Sequence, residues 1–307
     1  MFLIFKNSNM LEIINLRKEY SATTAVDDIT FKAEAGKIFG LLGPNGAGKT
    51  TTIRIILDIL KPTSGEVRFY GKAIDNEFLN KTGYLPEERG LYKKSRVIDI
   101  IRYFAELKNI PAAQGIASGI EWLNKFDIIQ YKDRKLEELS KGNQQKIQFI
   151  TSILHNPDIL ILDEPFSGFD PINQQIVKDI LIDFVNSGKI IILSTHQMEL
   201  AEKLCHEIFL IDNGKEVVSG NINEVRKRYG KNSVKVEFTG DISFVNSLPY
   251  VLELNAYNNY AEVELRENTP PNVFLQDLIN RIEIRNFNIV EATLNKIFID
   301  LIKKSEG

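Results

Sequence analysis

A glycine-rich loop between a buried strand and a helix constrains this 307-residue chain more than any other feature. The apolar run Ile38–Leu42 predicts a buried strand, and Thr50–Leu60 repeats apolar residues at helical spacing. Between them, residues 43–50 read Gly-Pro-Asn-Gly-Ala-Gly-Lys-Thr, which fits the G-x-x-x-x-G-K-[ST] pattern. This strand–loop–helix order is the context in which that pattern binds phosphate, and it predicts a nucleotide site.

Each residue type in the loop has a physical reason to be there. Glycines let consecutive backbone N–H groups turn toward one anion, and the following helix adds its positive N-terminal end. Lys49 would supply a charge to the β and γ phosphates, and the Thr50 hydroxyl would bind magnesium. The predicted ATP-binding residues are Gly43, Pro44, Asn45, Gly46, Ala47, Gly48, Lys49, Thr50 and Thr51.

Two carboxylates follow a second apolar run, Ile159–Leu162. A strand that ends in Asp163 delivers its carboxylate to the magnesium site beside a phosphate loop. Glu164 comes next, and we expect it to polarise the attacking water as a general base. The loop and these two residues together predict a magnesium-dependent ATPase, with Thr50 and Asp163 as metal ligands.

Short apolar runs alternate with longer helical patterns, which predicts an α/β fold, and the G-x-x-x-x-G-K-[ST] loop resembles that of the P-loop NTPases. We expect an ATPase domain over residues 10–225, with a helical part at about 91–155, after an extension at residues 1–9. Alternating apolar and polar residues later in the chain predict a small α+β domain at 231–305.

Composition, net charge and the length of the apolar runs disfavour a disordered chain, a nucleic-acid-binding protein, a disulfide-stabilised protein and a membrane-spanning chain. Hydrophobic residues make up 43% of the chain and charged residues 26%, as in ordinary globular proteins. The net charge of −3 gives no reason to expect a nucleic-acid partner. Cys205 is the only cysteine, so no internal disulfide can form. No run approaches the roughly 20 apolar residues of a membrane span, and the opening Met-Phe-Leu-Ile-Phe is too short for a signal peptide.

A competing nucleotide motif lies at residues 124–127, where Asn-Lys-Phe-Asp spells the N-K-x-D that reads guanine in GTPases. In GTPases this motif ends an apolar strand, whereas here it lies in a helical pattern with Trp122 and Leu123. No D-x-x-G follows the glycine loop at a useful place, since Asp163 is followed by Glu-Pro-Phe. We interpret the match as a coincidence.

Four further segments, in the expected order, resemble those of the ABC ATPases. Leu139–Gln145 resembles the L-S-G-G-Q signature that sets this family apart from other phosphate-loop proteins. Ser167–Asp170 looks like the family's D-loop, and His196 looks like its switch histidine. Tyr20 matches the aromatic residue that stacks on adenine. The resemblance covers residues 10–225 and implies a RecA-like core with an antiparallel β subdomain and a helical signature subdomain.

The resemblance also implies a mechanism that needs two copies. In the family, two cassettes face each other head to tail, with ATP between one phosphate loop and the other's signature. Ser140 and Gly142 would then bind the γ phosphate from across the interface, and Asp170 would tie the halves together. Glu164 and His196 would be the catalytic residues, with His196 holding the γ phosphate and the attacking water.

The sequence departs from the family pattern at two places, and these affect the roles that the resemblance implies for the signature and for residue 87. The signature reads Ser-Lys-Gly-Asn where the common form has Ser-Gly-Gly-Gln, so Lys141 adds a charge near the γ phosphate. Glu87 occupies the position of a glutamine that touches magnesium in most cassettes. A carboxylate is a better hard-cation ligand than an amide, and we expect Glu87 to bind the metal with altered metal dependence.

The segment Gly83–Tyr92, the variant signature and the small terminal domain resemble one exporter group, which includes sodium-extrusion and multidrug-type subunits. This resemblance implies a cytoplasmic homodimer held at the inner face of the membrane by a separate permease, which would dock on residues 91–139. The alternative is an ABC ATPase acting on ribosomes or DNA. The chain carries a single set of ATPase motifs, and its net charge is near neutral. Both observations disfavour the ribosome or DNA alternative. The sequence does not identify the transported substrate.

Overall fold

The computed structural model describes residues 10–88, 90–229, 232–266, 269–290 and 293–305. The predicted extension at 1–9, Arg89 of the exporter-like segment and the predicted domain start at Lys231 lie outside the described residues. The chain divides between Gly220 and Asn221 into two compact units. Among the described residues, no helix is both long and apolar enough to cross a bilayer.

The first unit holds ten strands and seven helices among its described residues. In chain order they are β1 (Met10–Tyr20), β2 (Thr23–Glu34), β3 (Lys37–Leu42), α1 (Lys49–Ile56), β4 (Ser64–Phe69), β5 (Lys72–Ala73), α2 (Asn76–Lys81), β6 (Thr82–Leu85), α3 (Val97–Leu107), α4 (Ala112–Lys125), α5 (Lys141–Ile153), β7 (Ile159–Asp163), α6 (Pro171–Asn186), β8 (Ile190–Thr195), α7 (Met198–Leu204), β9 (Glu207–Asp212) and β10 (Lys215–Asn221, whose last residue belongs to the second unit).

The second unit continues with four strands and three helices in its described part. They are α8 (Ile222–Tyr229), β11 (Asn232–Thr239), β12 (Val251–Ala256), β13 (Tyr260–Leu265), α9 (Pro271–Ile279), β14 (Glu283–Val290) and α10 (Leu294–Ser305). The domain limits drawn from the sequence, 10–225 and 231–305, stay a prediction.

The central sheet of the first unit has the strand order β10-β9-β3-β8-β7-β6. Its neighbours from β9 to β6 run parallel, and their near-continuous apolar runs are buried, as strands covered on both faces require. The register pairs Leu42 with Thr195 and Asp163 with Ser194. The carboxyl ends of β3, β7 and β8 therefore meet at one edge of the sheet.

A second sheet with the order β2-β1-β4-β5 is antiparallel. Apolar side chains that alternate along β1, such as Leu11 and Ile13, are fully buried. They share one core cluster with Ile53 and Ile56 of α1 and with Phe209 of β9. The antiparallel sheet is thus packed together with the central sheet and α1. The runs Leu11–Leu16 and Val67–Tyr70 predict strands that β1 and β4 confirm in part, and no sequence pattern predicted β2.

The helical part contains α3, α4 and α5. The spacing of Ile116, Ile120 and Leu123 predicts a helix, which α4 confirms, and its buried residues are Leu123 and two glycines. A Cβ atom on Gly115 would lie 2.2 Å from Cβ of Ala105. A Cβ atom on Gly119 would lie 2.3 Å from Ile101. The two helices approach so closely that only glycine fits between them, and hydrophobic periodicity does not register glycine.

The second unit is built on an antiparallel sheet with the order β12-β13-β11-β14. Val234, Val236 and Val263 are buried on one face, in a cluster with Phe274 and Leu278 of α9. The alternation of apolar and polar residues over Val234–Phe238 and Ala261–Leu265 predicts two strands, which β11 and β13 confirm. The sequence did not predict β12, β14 or α9.

Candidate functional site

The glycine loop, residues 43–50, connects β3 to α1 at the carboxyl edge of the central sheet. Gly43 and Gly48 have φ angles of +153° and +110°, in the region that favours glycine. A Cβ atom at Gly43 would lie 2.1 Å from the carbonyl oxygen of Ile211, and one at Gly48 would lie 2.5 Å from that of Ala25. Both glycines are therefore required by the fold, because the loop passes against neighbouring backbone.

Lys49 is the first residue of α1 and is only 6% exposed. Its Nζ donates to the carbonyl oxygens of Gly43 and Pro44, at 2.7 and 2.9 Å. Burial lowers the pKa of Lys49, and the nearby carboxylates of Glu164 and Asp163 oppose that shift. The ammonium group is thus held inside the loop and close to two acidic residues.

The Thr50 hydroxyl donates to Oδ2 of Asp163 at 3.1 Å, and the Ser194 hydroxyl donates to Oδ1 at 2.7 Å. Asp163 ends β7 and is buried. Burial raises its pKa, against the lowering effect of the two hydroxyl groups. The pair of oxygens predicted from the sequence is in contact, and Ser194, which the sequence analysis missed, fixes the orientation of the carboxylate.

Glu164 is 6% exposed and has a φ angle of +49°, which is uncommon for a residue other than glycine. Its Oε2 accepts from the Thr195 hydroxyl at 2.9 Å. Its Oε1 accepts from the backbone N–H of His196 at 2.9 Å and lies 2.6 Å from Nδ1 of the same histidine. The carboxylate and the half-exposed imidazole therefore form one unit at the end of β8.

An open cavity of about 270 Å³ lies at this edge of the sheet. The described residues that line it are Ala25, Asn45, Gly46, Gly48, Lys49, Thr50, Thr51, Glu87, Asp163 and Glu164. Most of the predicted loop residues, both carboxylates and Glu87 are thus brought together. Sequence reasoning missed Ala25, which lies on the antiparallel sheet, and the hydroxyl groups of Ser194 and Thr195.

The donor set fits a hard cation that completes its coordination with other ligands. Among the described residues, no three or more His, Cys, Asp or Glu side chains form a metal cage by themselves. The Thr50 hydroxyl and Asp163 carboxylate supply oxygen atoms, and Glu87 lines the same cavity. Magnesium is typically bound by one or two carboxylates together with substrate phosphates, so these residues fit it.

Apart from three residues of the glycine loop and His196, which contacts Glu164, four predicted site residues do not line this cavity. Tyr20 is 47% exposed, with Nζ of Lys18 located 5.3 Å from the ring centre. Ser140 and Asp170 cap the N-termini of α5 and α6 by accepting N–H bonds from Asn143 and Asn173. The fourth residue, Gly142, lies in the first turn of α5. Both caps are explained by helix geometry alone, so any further role needs a partner molecule.

The remaining histidines and the N-K-x-D segment have structural explanations. Nδ1 of His206 accepts from the N–H of Ile38 at 3.1 Å, and Nε2 of His155 lies 3.1 Å from the carbonyl oxygen of Thr82. Both contacts join elements of the core. Residues 124–127 lie at the end of α4 and the turn after it, rather than at the end of a strand, which agrees with a coincidental match.

Two family profiles together match most of the chain. The profile described as "ABC transporter" matches residues 26–167, and that of the "ATP-binding protein DrrA1-3-like, C-terminal domain" matches residues 220–302. A solved structure titled "Structure of ATP binding subunit of ABC transporter" has a TM-score of 0.67 and 28% sequence identity. It covers 72% of this chain and 93% of its own. These similarities confirm the predicted P-loop α/β fold.

Two relatives extend the comparison. The Nod factor export ATP-binding protein I of Ralstonia nicotianae is 35% identical, over 70% of this chain and 68% of its own length. The ABC transporter ATP-binding protein YhaQ of Bacillus subtilis is 40% identical, over 95% of this chain and 98% of its own. Nothing in these similarities favours the ribosome or DNA alternative. Identity at this level along nearly the whole of both chains shows that this protein belongs to the ABC ATPases and is the ATP-binding subunit of an ABC transporter.

Proposed function

We propose that this subunit hydrolyses ATP in a magnesium-dependent reaction and thereby drives export through a separate permease. The observation that carries this proposal is the convergence of Lys49, the Thr50–Asp163 pair and the Glu164–His196 pair at one edge of the central sheet. An ammonium group, a metal-ligand pair and a carboxylate base are the parts that phosphoryl transfer to water requires. The family itself consists of ATPases.

Phosphate and metal would be held at the glycine loop. Lys49 would contact the β and γ phosphates, with backbone N–H groups of the loop directed at the same anion. Thr50, Glu87 and Asp163 would bind magnesium, which when bound neutralises charge on the phosphate oxygens. The acidic side chains near Lys49 leave the site short of positive charge, so ATP is expected to bind together with the cation.

Glu164 would orient and deprotonate the water that attacks the γ phosphorus. Its carboxylate is held from two sides, by the Thr195 hydroxyl and by His196, so its position is fixed before substrate binds. The proton of the water would pass to Glu164, while the bond to the departing ADP oxygen breaks. The half-exposed imidazole of His196 would contact the γ phosphate.

The complete site would need a second copy of the chain. Ser140 is exposed at the N-terminus of α5, and Gly142 lies in the first turn of the same helix. Neither lines the cavity formed by its own chain. Asp170 is likewise exposed, at the N-terminus of α6. Head-to-tail pairing would bring these groups to the partner's ATP, with Tyr20 against the adenine.

The permease would dock on the helical part of the first unit, on the cytoplasmic face of the membrane. Tyr92, Tyr103 and Leu107 are large, exposed side chains, and the rings of Tyr92 and Tyr103 are in edge contact with centroids 5.6 Å apart. Exposed aromatic residues are typical of protein interfaces. The direction of transport is proposed from relatives that are named as export proteins.

Replacing the proposed base tests the mechanism. Glu164→Gln keeps the shape of the side chain but cannot accept a proton, so we expect ATP hydrolysis to fall by about 100-fold or more. ATP binding should persist, and an ATP-bound dimer should accumulate in size-exclusion chromatography with light scattering. The matched control is Glu88→Gln, an exposed carboxylate that does not line the cavity. A Glu164→Gln protein that hydrolyses ATP normally, or binds it as a monomer, contradicts the mechanism.

Copurification tests the transport half of the proposal. The wild-type chain, extracted gently from its native membranes, should bring with it a polytopic membrane protein. Cosedimentation with ribosomes, and no membrane partner, would instead support the alternative function.

A further inference from the structure

Gln148 lies in the middle of α5 and reaches across to the loop that carries Glu87. Its side chain is only 3% exposed. Its Nε2 donates to the carbonyl oxygen of Pro86 at 3.2 Å and to that of Glu88 at 3.0 Å. The two acceptors are the residues immediately before and after Glu87, and both are about 60 positions away from Gln148 in the sequence.

A carboxamide suits this position because its NH₂ group has two protons, one for each carbonyl oxygen. The parallel pairing of β6 with β7 ends at Leu85, so Pro86 and Glu88 lie beyond the ladder that fixes the strand. The amide group of Gln148 is buried, and a buried donor without a partner is costly, which favours the conformation in which both bonds form. Gln148 therefore fixes the backbone on both sides of Glu87.

Glu87, which lies between the two fixed carbonyl groups, is part of the nucleotide site. Glu87 lines the same cavity as Lys49, Thr50 and Asp163, and its charge acts on the ammonium group of Lys49. A ligand held by fixed backbone loses less freedom when it binds a cation than one on a free loop. Ser140 caps the N-terminus of the helix that supplies Gln148, so one rigid element connects the signature to the loop of Glu87.

We propose that Gln148 is a positioning residue that holds Glu87 at the magnesium site and links this carboxylate to the signature helix α5. The inference rests on the proposed role of Glu87 as a metal ligand. Residues that orient a ligand typically contribute about 10–100-fold to metal affinity. Removing the two donated bonds should therefore raise the magnesium requirement of the ATPase more than it lowers the maximal rate.

The test compares Gln148→Met with Gln144→Met. Methionine keeps the length and approximate volume of glutamine but has no N–H donor. Gln144 also donates from Nε2 to two carbonyl oxygens, those of Leu136 and Leu139, and it lies on the same helix without touching the Glu87 loop. ATPase activity of the full chain is titrated with magnesium at fixed ATP, and the melting temperature of each variant verifies folding.

We expect Gln148→Met to raise the magnesium concentration for half-maximal activity by about tenfold. Gln144→Met should leave that concentration unchanged, whatever its effect on the rate. Hydrogen exchange should become faster at the amides of residues 87 and 88 in Gln148→Met only. In a Glu87→Gln background, Gln148→Met should produce no further change in the magnesium requirement, because both substitutions act through the same ligand.

These measurements distinguish a wrong assignment of Gln148 from a wrong assignment of Glu87. A magnesium curve that changes in Glu87→Gln but not in Gln148→Met overturns the assignment of Gln148 and leaves the metal role of Glu87 intact. An unchanged curve in Glu87→Gln contradicts the role of Glu87 itself, and with it the assignment of Gln148. Equal shifts of Gln148→Met in both backgrounds, or a shift of the same size in Gln144→Met, would show that Gln148 acts on the fold in general.

Discussion

The two units of this chain use charged residues in opposite ways. In the first unit, parallel strands end at one edge of the sheet, and Asp163, Glu164 and Ser194 meet there. In the second unit the strands are antiparallel, so their carboxyl ends alternate between opposite edges. The direction of the strands, rather than the number of charged residues, therefore decides where a catalytic cluster can form.

Several charged residues of the second unit lie on one face of its sheet. Glu264 lies opposite Ser233 on one side and Glu253 on the other, and Lys235 lies opposite Glu262. Lys296 of α10 approaches Glu264 at 3.8 Å, and Lys235 lies over the ring of Tyr260 at 4.4 Å. Glu253, Glu264 and Lys296 are among the described residues that line a cavity of about 370 Å³, which lies along a face of the sheet rather than at the ends of its strands.

The largest expected effect concerns the core of the second unit. Phe274 of α9 is fully buried, so Phe274→Ala should destabilise this unit by about 3–5 kcal/mol. If the chemistry belongs to the first unit alone, ATPase activity below the new transition should stay within about twofold of wild type. The control is Phe149→Ala on α5, which loses the same ring from the first unit and should reduce activity. Loss of activity in Phe274→Ala would contradict the view that the chemistry belongs to the first unit alone.

A smaller effect is expected from Asp163→Asn in the first unit. The amide removes the charge that would hold magnesium, so hydrolysis should fall by about 100-fold at saturating ATP, as assayed by phosphate release. The cassette itself should become more stable, because a buried carboxylate is replaced by an amide that can still bond to Ser194 and Thr50. A rise in the melting temperature of about 2–4 °C would correspond to ~1 kcal/mol.

The smallest effect is the pH dependence of that stability difference. The pKa of Asp163 is raised in the folded protein above its ordinary value of 3.8. Above that value the folded chain holds more protons at this position than the unfolded chain, so wild-type stability from this group falls as pH rises. The advantage of Asp163→Asn should grow from about pH 4 and level off above the folded-state pKa. An advantage that is independent of pH would contradict the burial effect.

The residues of the site that sequence reasoning found are those with a local signature. The glycine loop and Asp163 stand beside apolar runs whose spacing predicts their strands, and the register then places both at one sheet edge. Ser194 and Thr195 also end a strand, directly before His196, but hydroxyl residues carry no distinguishing pattern. Gln148 has no local signal at all, since its partners are 60 and 62 residues away.

The packing of α4 shows a second feature that the sequence pattern does not predict. Periodicity identifies a helix and its apolar positions, and α4 forms where Ile116, Ile120 and Leu123 predicted a helix. It does not measure the distance to the neighbouring helix, which here is short enough to require Gly115 and Gly119. The roles of Ser140 and Asp170 are limited in a further way, because both act as helix caps within one chain and their proposed contacts need a second copy.

The glycine loop, the two carboxylates at the end of β7 and the family follow from the sequence alone, because each depends on residues that are neighbours along the chain. Only the tertiary structure decided which groups orient them. The Ser194 hydroxyl on Asp163, the imidazole of His196 on Glu164 and the amide of Gln148 beside Glu87 are contacts between distant segments. Hydrogen bonds depend on distance and angle in space, and the order of residues specifies these only after the sheets and helices have packed.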